Sequence, residues 1–388
     1  MKLIVRLVTL LALLVAVAPG PCAAAPTRVV FTIDVESNDA YGLPDQVDAV
    51  CAPNATPCGL AAISNALKAR GWSGTYFLNV YEYKKWGEAA IRTIAQRLRA
   101  DGQDLALHTH PQWAYDPRRW AMSQYTLEEQ TAIVKDGVQR LTAWSGQSVV
   151  AHRTGAYAAD ANTLIALERN GITLDSSVFW QHPNTRLDAR GLPHNLPVRY
   201  GRLVEIPVTV YRRADTSDLL GFRLPPVVSI RKIDPNWFVN SDEMHAAMDE
   251  TVSSDLPIVV VFLHSFSFMD QRSGSAPTLN RHAWDLFTAL LDDIAKRQLP
   301  VVTLRQIATE PLTEPSIRDV VPQVVVTVDL PHYLWHRIKT ADRREWGGIG
   351  VSGLLLAIVA LTLVRTLWVR RVERRTIIAA TMPKARFQ

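Results

Sequence analysis

Three features that the sequence lacks narrow what it can encode. Its 388 residues include only three cysteines, and the pair at Cys51 and Cys58 has no second pair to accompany it, so a cysteine-based zinc site is poorly supported. No run of lysine and arginine lies among aromatic residues in the central region, which gives nucleic-acid binding little support. There is no internal repeat or low-complexity stretch, and the formal net charge is only +5. The hydrophobic content of 48% is enough for one large α/β domain or two small ones.

The two ends of the sequence each carry an apolar run. At the N-terminus, Lys2 and Arg6 accompany such a run and small residues lead to Ala25, which predicts a signal peptide. An uncleaved anchor helix is the alternative. The run at 347–369 contains one charged residue, Arg365, and is long enough to cross a bilayer. Four arginines follow it, as is typical of a cytoplasmic flank, whereas a buried core helix is the alternative.

These runs predict an exported protein held in the lipid bilayer of the cell membrane by a single C-terminal helix, with its domain on the periplasmic or extracellular side. The expected organisation is a signal peptide at 1–25, a catalytic domain at 28–309, a proline-containing stalk at 310–346, a transmembrane helix at 347–369 and a basic cytoplasmic tail at 370–388. In an oxidising compartment we expect a disulfide between Cys51 and Cys58, which bracket a six-residue loop. Two free thiols are the alternative.

Between the two apolar runs, strand-like and helix-like segments alternate. This order indicates parallel strands with helices outside them, as a barrel or a doubly wound sheet. A helix is expected over 126–144, because Thr126 and Glu129 form a capping signal at its start. The proline-rich segment 212–240 is predicted to be an irregular excursion over the active face, and 324–328 to add one strand.

Residues that can bind a metal ion or move a proton follow the predicted strands. In folds of this kind the carboxyl ends of the strands meet at one edge, which is where the site lies. The candidates there are Asp34, Glu36, His108, His110, Arg153, Asp175 and His264. Residues two apart in an extended segment point to the same side, so Asp34 pairs with Glu36 and His108 with His110. Two imidazoles and one carboxylate leave open positions on a zinc ion, and a second carboxylate can accept a proton from water.

Taken in order, these segments resemble the motifs of the polysaccharide deacetylase family, which has the NodB homology domain and is also described as carbohydrate esterase 4-like. The resemblance covers about 29–308 and implies a distorted (β/α) barrel. FTIDVES resembles the first motif and LALHTHPQW the second, although Gln112 stands where the family has its second histidine and His110 comes two residues earlier. The third motif, from Arg153 to Tyr157, is one residue longer than usual, and VFLHS resembles the fifth.

The resemblance implies a role for each candidate. Asp34 would be the catalytic base and His264 the general acid. Arg153 would orient the base, and Asp175 would hold Arg153 in place. The metal ligands would be Glu36, His108 and His110, for Zn²⁺ or another divalent ion. The residues implied in substrate binding are Tyr157, Trp180, Leu263 and Trp113.

The implied activity is removal of acetyl groups from an N-acetylated or O-acetylated polysaccharide or oligosaccharide. Two alternatives stay open. The histidine missing at position 112 and the altered third motif favour a non-catalytic glycan-binding protein on the same fold, whereas the presence of Asp34, Arg153 and His264 favours an enzyme. The other alternative keeps the chemistry and makes the chain an amidase for a small non-sugar amide.

Overall fold

The computed structural model describes residues 26–187, 194–216, 218–219, 222–223, 227–236, 239–270, 277–310 and 320–327. The predicted signal peptide, transmembrane helix and tail lie outside these ranges. Within the ranges described, no helix has the length and apolar character needed to span a membrane.

The larger of two compact units is built on an eight-stranded sheet that curls into a half barrel. Its strands, in spatial order, are β14 (Ile258–His264), β1 (Arg28–Val35), β4 (Thr75–Asn79), β5 (Asp104–Thr109), β6 (Ala151–Thr154), β7 (Leu174–Asp175), β9 (Leu203–Glu205) and β8 (Val198–Tyr200). Neighbouring strands are parallel except for β8, which is antiparallel to β9. The expected α/β class and its parallel sheet are therefore confirmed.

The helices of this unit follow the strands in the expected alternation. They are α1 (Leu43–Val47), α2 (Leu60–Lys68), α3 (Tyr83–Trp86), α4 (Glu88–Ala100), α5 (Leu127–Ser145), α6 (Ala161–Arg169), α7 (Ser241–Ser253), α8 (Arg281–Lys296) and α9 (Leu304–Ala308). The predicted cap of α5 is present, because Thr126 Oγ1 accepts a hydrogen bond from the Glu129 N–H and the Glu129 side chain accepts one from the Thr126 N–H.

The concave side of the sheet has an apolar lower part and a polar upper edge. The lower part is a buried cluster that α9 completes, formed by Val30, Phe77, Ala106, Ala151, Leu174, Val204, Ile206, Ile258, Val260, Leu304 and Ile307. Because side chains alternate across a strand, Val30, Thr32 and Asp34 share one face. The register pairs Thr32 with Phe262 and Asp34 with His264. The polar side chains therefore continue the apolar column towards the carboxyl ends of the strands.

A second, three-stranded sheet occupies part of the segment predicted to be irregular. In it β10 (Val210–Thr216) lies between β13 (Val227–Lys232) and β15 (Gln323–Thr327), and the β10–β13 pair is antiparallel. The irregular assignment of 212–240 is thus wrong over these strands, because the prolines at 225 and 226 interrupt the sequence pattern but lie between two segments that pair. β15 agrees with the strand expected near 324–328. In the smaller unit, β11 (Asp218–Leu219) and β12 (Phe222–Arg223) form an antiparallel hairpin.

The predicted disulfide is present. Cys51 and Cys58 are joined with their Cα atoms 5.9 Å apart, and they lie in a short hairpin of β2 (Val50–Cys51) and β3 (Thr56–Pro57). Both cysteines are fully buried, in an apolar cluster with Phe266 and Met269. The disulfide therefore packs beside the loop that follows β14.

Candidate metal centre and active site

Three potential metal ligands converge at the carboxyl edge of β1 and β5. Glu36 follows β1 directly, His108 lies in β5 and His110 follows it. One ligand atom from each residue lies within 4.8 Å of the other two. The Oε2 atom of Glu36 is 3.3 Å from Nε2 of His108 and 2.6 Å from Nε2 of His110. The two residue pairs with i, i+2 spacing thus meet at a single point.

The histidine nitrogens that face this point have no hydrogen-bond partner of suitable direction among the described residues, although both are buried. Nδ1 of His108 lies 2.9 Å from the backbone oxygen of Arg153, so it donates to that carbonyl and leaves the lone pair of Nε2 free. An unpaired buried nitrogen is costly unless a ligand completes it. Two such nitrogens beside one carboxylate fit a divalent metal ion with open coordination positions.

Gln112, at the position where the family has its second histidine, contacts His110 instead. Its Nε2 lies 3.3 Å from Nδ1 of His110, and its amide oxygen has no partner in the described part of the chain. With the amide turned over, the oxygen would accept the Nδ1 proton of His110 and leave Nε2 of that ring free for a metal. Gln112 thus supports the displaced ligand rather than replacing it.

The ligands also shift one another's protonation. Burial opposes ionisation of Glu36, but the neighbouring His110 and His108 outweigh it and hold the pKa of this carboxyl well below its usual value. Burial likewise opposes protonation of His108, yet Asp34 and Glu36 raise the pKa of its ring above the usual value. The site therefore keeps its carboxylates ionised and ready to bind a cation.

Asp34 is held beside the ligands by a fully buried guanidinium. Nη1 of Arg153 donates to Oδ1 of Asp34 at 2.8 Å and to Thr32 Oγ1 at 3.2 Å. The other oxygen of Asp34 is 3.9 Å from Nε2 of His108. Burial disfavours the charge on Asp34, but Arg153 and His108 lower the pKa of Asp34 below its usual value. One oxygen is therefore fixed by arginine, and the other faces the metal ligands as an ionised base.

His264 approaches the second carboxylate oxygen of Glu36. It ends β14 in register with Asp34, and its Nε2 lies 3.6 Å from Oε1 of Glu36. The ring stacks on Phe266 with centroids 4.7 Å apart and meets the edge of Phe262 at 4.8 Å. Burial lowers the pKa of His264 below its usual value. The imidazole is thus fixed by aromatic packing rather than by a carboxylate at hydrogen-bond distance among the described residues.

The third motif forms a tight turn against the metal ligands. Ala156 and Tyr157 have φ values of 50° and 58°, which L-residues rarely adopt, and they belong to a single helical turn at Gly155–Tyr157. N–H groups at the start of such a turn have no acceptor within it, so they can serve an oxyanion. A Cβ atom on Gly155 would lie 2.4 Å from the His110 ring, so the absence of a side chain at Gly155 provides room for this histidine.

The role expected of Asp175 is wrong. Asp175 Oδ1 lies 2.7 Å from Nδ1 of His152 and accepts a hydrogen bond from Ser177 Oγ at 2.8 Å. Arg153 instead donates to the backbone oxygen and hydroxyl of Ser176, at 2.9 and 3.0 Å. Successive residues of an extended segment point to opposite faces, so residue 176 reaches the site face and residue 175 the other. The register agrees, because it pairs Asp175 with His152.

The substrate contact expected of Leu263 is also wrong. Leu263 pairs with Ile33 in register and is fully buried on the face away from Asp34 and His264. Phe262 is two residues from His264 and shares its face, with its ring against the imidazole. Phe262 therefore lines the site in the place expected of Leu263.

The two candidate groove tryptophans have different surroundings. Trp113 is half-buried in the single helical turn Pro111–Trp113 that directly follows His110, and Lys85 Nζ lies 5.0 Å from its ring and 4.4 Å from that of Trp86. Trp180 contacts the ring of His194 at 4.2 Å. The structure thus brings Trp113 to the metal ligands, whereas a substrate contact of Trp180 stays a prediction.

Sequence reasoning missed several residues of the site. Ser176 and Phe262 carried a usable signal, because each lies one residue from a predicted candidate and the alternation of strand faces selects it. Lys232 carried none, because it belongs to the second sheet. Its Nζ donates to the Tyr157 hydroxyl at 3.2 Å and lies 3.1 Å from the Phe262 ring centroid.

Comparison with known proteins gives matches at the level of structure. No protein-family profile matches the sequence, and no curated protein matches it significantly. The solved structures that match include polysaccharide deacetylases and family 4 carbohydrate esterases, the proteins that the motifs resemble.

Three of these structures illustrate the likeness. A protein from Mycobacterium smegmatis assigned as a polysaccharide deacetylase is 17% identical, has a TM-score of 0.47, and is matched over 77% of this chain and 97% of that one. Puue allantoinase is 12% identical, with a TM-score of 0.48 and coverage of 76% and 95%. A family 4 carbohydrate esterase from Streptomyces lividans, in complex with acetate, is 12% identical, with a TM-score of 0.38 and coverage of 76% and 98%.

Proposed function

We propose that the chain is a metal-dependent hydrolase that removes acetyl groups from an N-acetylated or O-acetylated polysaccharide of the cell envelope or its surroundings. The observation that supports this most is the meeting of Glu36, His108 and His110 at one point beside Asp34, with Arg153 holding that carboxylate from behind. A ligand set with open positions and an adjacent ionised base is what hydrolysis of an amide or ester requires.

The residues divide the work of hydrolysis. A divalent ion held by Glu36, His108 and His110, Zn²⁺ being the choice that two imidazoles and one carboxylate favour, would polarise the acetyl carbonyl and lower the pKa of water. Asp34 accepts the proton of the attacking water, because its free oxygen faces the ligands. The N–H groups of the turn at Ala156 and Tyr157 would stabilise the developing oxyanion.

The leaving group needs a proton as it departs. His264 gives this proton to the leaving nitrogen or oxygen as acetate is released, since its Nε2 lies beside the metal ligands, 3.6 Å from Oε1 of Glu36. Phe262 and Phe266 hold this ring from two directions, which fixes the line of proton transfer. Trp113 offers an aromatic surface for a sugar next to His110.

Metal content and acetate release, measured on the same purified full-length protein, test this proposal. We expect about one equivalent of zinc and release of acetate from an acetylated chito-oligosaccharide. Asp34→Asn should retain metal and lose roughly 10²–10⁴-fold in kcat, as expected for loss of a general base. Asp48→Asn, the same change at an exposed position, should leave both quantities unchanged.

The same experiment separates the alternatives. Metal with no acetate from oligosaccharides, but turnover of a small amide, would favour the amidase. Glycan binding in a protein that holds no metal, with His108 and His110 intact, would favour the non-catalytic protein. Either result would reject the deacetylase.

We also propose the location predicted from the sequence, in which the hydrolase domain is exported and anchored by 347–369, but with the stalk predicted at 310–346 shortened to the part after β15, since β15 belongs to the second sheet. Two properties of the sequence support it, namely the leader-like 1–25 and the arginines after residue 369. Protease added to intact cells, or to cells whose outer membrane has been permeabilised if the domain is periplasmic, should cleave the domain and spare the tail at 370–388. Cleavage of the tail alone would reverse the orientation.

A further inference from the structure

Lys232 brings an ammonium group to the wall of the site from the second sheet. It ends β13, and the backbone N–H of Phe262 donates to the carbonyl of the next residue, Ile233, at 2.8 Å, which ties this segment to β14. The Lys232 side chain is only 18% exposed. Its Nζ lies over the Phe262 ring, the same ring that contacts His264. The ammonium is therefore next to the proposed proton donor.

Among the described residues, this ammonium is incompletely paired. Of its three N–H groups, one donates to the Tyr157 hydroxyl, and the Phe262 ring offers only a cation–π contact. The nearest carboxylate oxygen described, Oδ2 of Asp234, is 3.8 Å away and beyond hydrogen-bond distance. Burying a charge costs free energy unless an opposite charge and hydrogen bonds compensate it. At least one N–H group of Lys232 therefore has no hydrogen-bond acceptor among the described residues, and leaving it unpaired in this buried position costs free energy.

The other charges of the site are already matched. Asp34 is paired with Arg153, and Glu36 faces His108 and His110 as part of the proposed metal site. Burial lowers the pKa of Lys232 to about 8, against the opposing effect of Asp234 and Asp34, so the ammonium form still predominates at neutral pH.

Tyr157 supplies a second donor at the same place. Its hydroxyl accepts from Lys232, so its own proton is available to another acceptor. The left-handed backbone of Tyr157 is uncommon for a bulky residue, and such strain is typical of ligand-binding positions. The Lys232 and Tyr157 donor atoms are 3.2 Å apart, a spacing that suits the two oxygens of one carboxylate.

We propose that Lys232 and Tyr157 form a subsite for a carboxylate group of the substrate, so that the enzyme prefers an acidic acetylated glycan to a neutral one. This inference rests on the proposed function for the neighbouring deacetylase site. The substrate class it defines is an acetylated amino sugar that carries, or is linked to, a sugar acid.

The test compares two oligosaccharides of equal length on the full-length protein. One consists of N-acetylglucosamine alone, and in the other N-acetylglucosamine alternates with glucuronic acid. We expect wild type to have the higher kcat/KM on the acidic oligomer. Lys232→Met should lower the ratio of the two kcat/KM values roughly 10–100-fold, mainly through KM, as expected for loss of a hydrogen bond to a charged group.

Control variants test whether a change in the ratio of the two kcat/KM values is due to the charge of Lys232. Lys232→Arg keeps the charge and should retain part of the preference, and Tyr157→Phe should lose part of it. Lys135→Met makes the same exchange at an exposed lysine of α5 and should leave the ratio unchanged. Each ratio is internal to one variant, so it does not depend on how much of the protein is folded.

Two results would overturn the inference. One is an equal kcat/KM for both oligomers on wild type. The other is a loss of kcat in Lys232→Met that is the same for both, which would make Lys232 a proton donor to the reaction. If wild type cleaves neither oligomer, the proposed function fails, and calorimetric binding decides the inference separately. Tighter binding of the acidic oligomer that Lys232→Met abolishes would uphold the subsite, whereas equal binding would reject it.

Discussion

Replacing Gly155 by alanine should weaken metal binding without removing any metal ligand. The added Cβ atom would lie 2.4 Å from Cε1 and Nε2 of His110, whereas ordinary van der Waals contact begins at 3.4 Å. The ring or the turn must therefore move by about 1 Å. Gly155 does not have a left-handed φ, so its backbone conformation is open to alanine and the crowding is the whole effect.

The expected magnitude follows from the tolerance of a coordination shell. Metal–ligand distances vary by only about 0.2 Å around their preferred values, so a displacement of about 1 Å removes His110 from the shell or distorts it. Changes in residues that support a ligand cost about 10–100-fold in metal affinity. We expect Gly155→Ala to lose at least tenfold in zinc affinity and about 10²-fold in kcat/KM, since a misplacement of 1 Å has that effect on catalysis.

Competition with a chromophoric chelator measures the predicted loss of zinc affinity directly. Gly74→Ala is the matched control, because its Cβ would crowd Ile33, Leu67 and Tyr76 at 2.9–3.2 Å, at the end of β4 away from the site. This control should lower the melting temperature and leave zinc affinity unchanged. Unchanged zinc affinity in folded Gly155→Ala would refute the expected displacement of the His110 ring.

Three further predictions follow from charges and cross-links in the structure. Arg153→Met leaves Asp34 buried without its partner, so the free energy of unfolding should fall by about 3–5 kcal/mol in a denaturant titration, and the acid limb of the kcat/KM profile should move to higher pH. In the metal-free protein, the lowered pKa of Glu36 stabilises the fold at pH values above 4.5, the ordinary pKa of this group, and this stability is lost on acidification. The raised pKa of His108 stabilises the fold below pH 6.5, the ordinary pKa of this ring, and this stability is lost as the pH rises. The melting temperature should therefore be highest between pH 4.5 and 6.5. A melting temperature that does not change with pH would contradict the interaction between Glu36 and His108. Replacing both disulfide cysteines by serine should cost about 2–3 kcal/mol, as expected for a short loop with a separation of seven residues, and an unchanged unfolding midpoint would argue against this cross-link.

Much of the metal centre could be predicted because it depends on local periodicity. Asp34 with Glu36, and His108 with His110, are spaced by two residues at strand ends, and this spacing alone puts each pair on one side. The meeting of the two pairs follows from parallel strands that share an edge. No comparable rule gives the distance between the pairs, which depends on the curl of the sheet.

The errors at Asp175 and Leu263 have a common cause. Both residues were assigned from their place in a motif, although each lies next to a residue that faces the site. Applying the alternation of strand faces to His264 would have selected Phe262, two residues earlier. The strand face on which a side chain lies therefore predicts its place in the site better than its position within a motif does.

Lys232 could not be predicted by either kind of reasoning. It reaches the site because β13 pairs with β10 and the chain then runs alongside β14, and these are tertiary contacts between distant segments. The prolines before β13 hide even the strand. A residue that enters a site from a separate sheet carries no local signature of its role.

The pairing of β1 with β14 also determines when the site can be completed. Asp34, the metal ligands and Arg153 come from strands in the first half of the described chain, whereas His264 comes from a strand that is synthesised much later. Contacts between segments far apart in sequence form slowly during folding, because a long loop must close first. A growing or partly folded chain can thus assemble the ligands and the base while it still lacks the proton donor. Activity should appear only after β14 has joined the edge of β1.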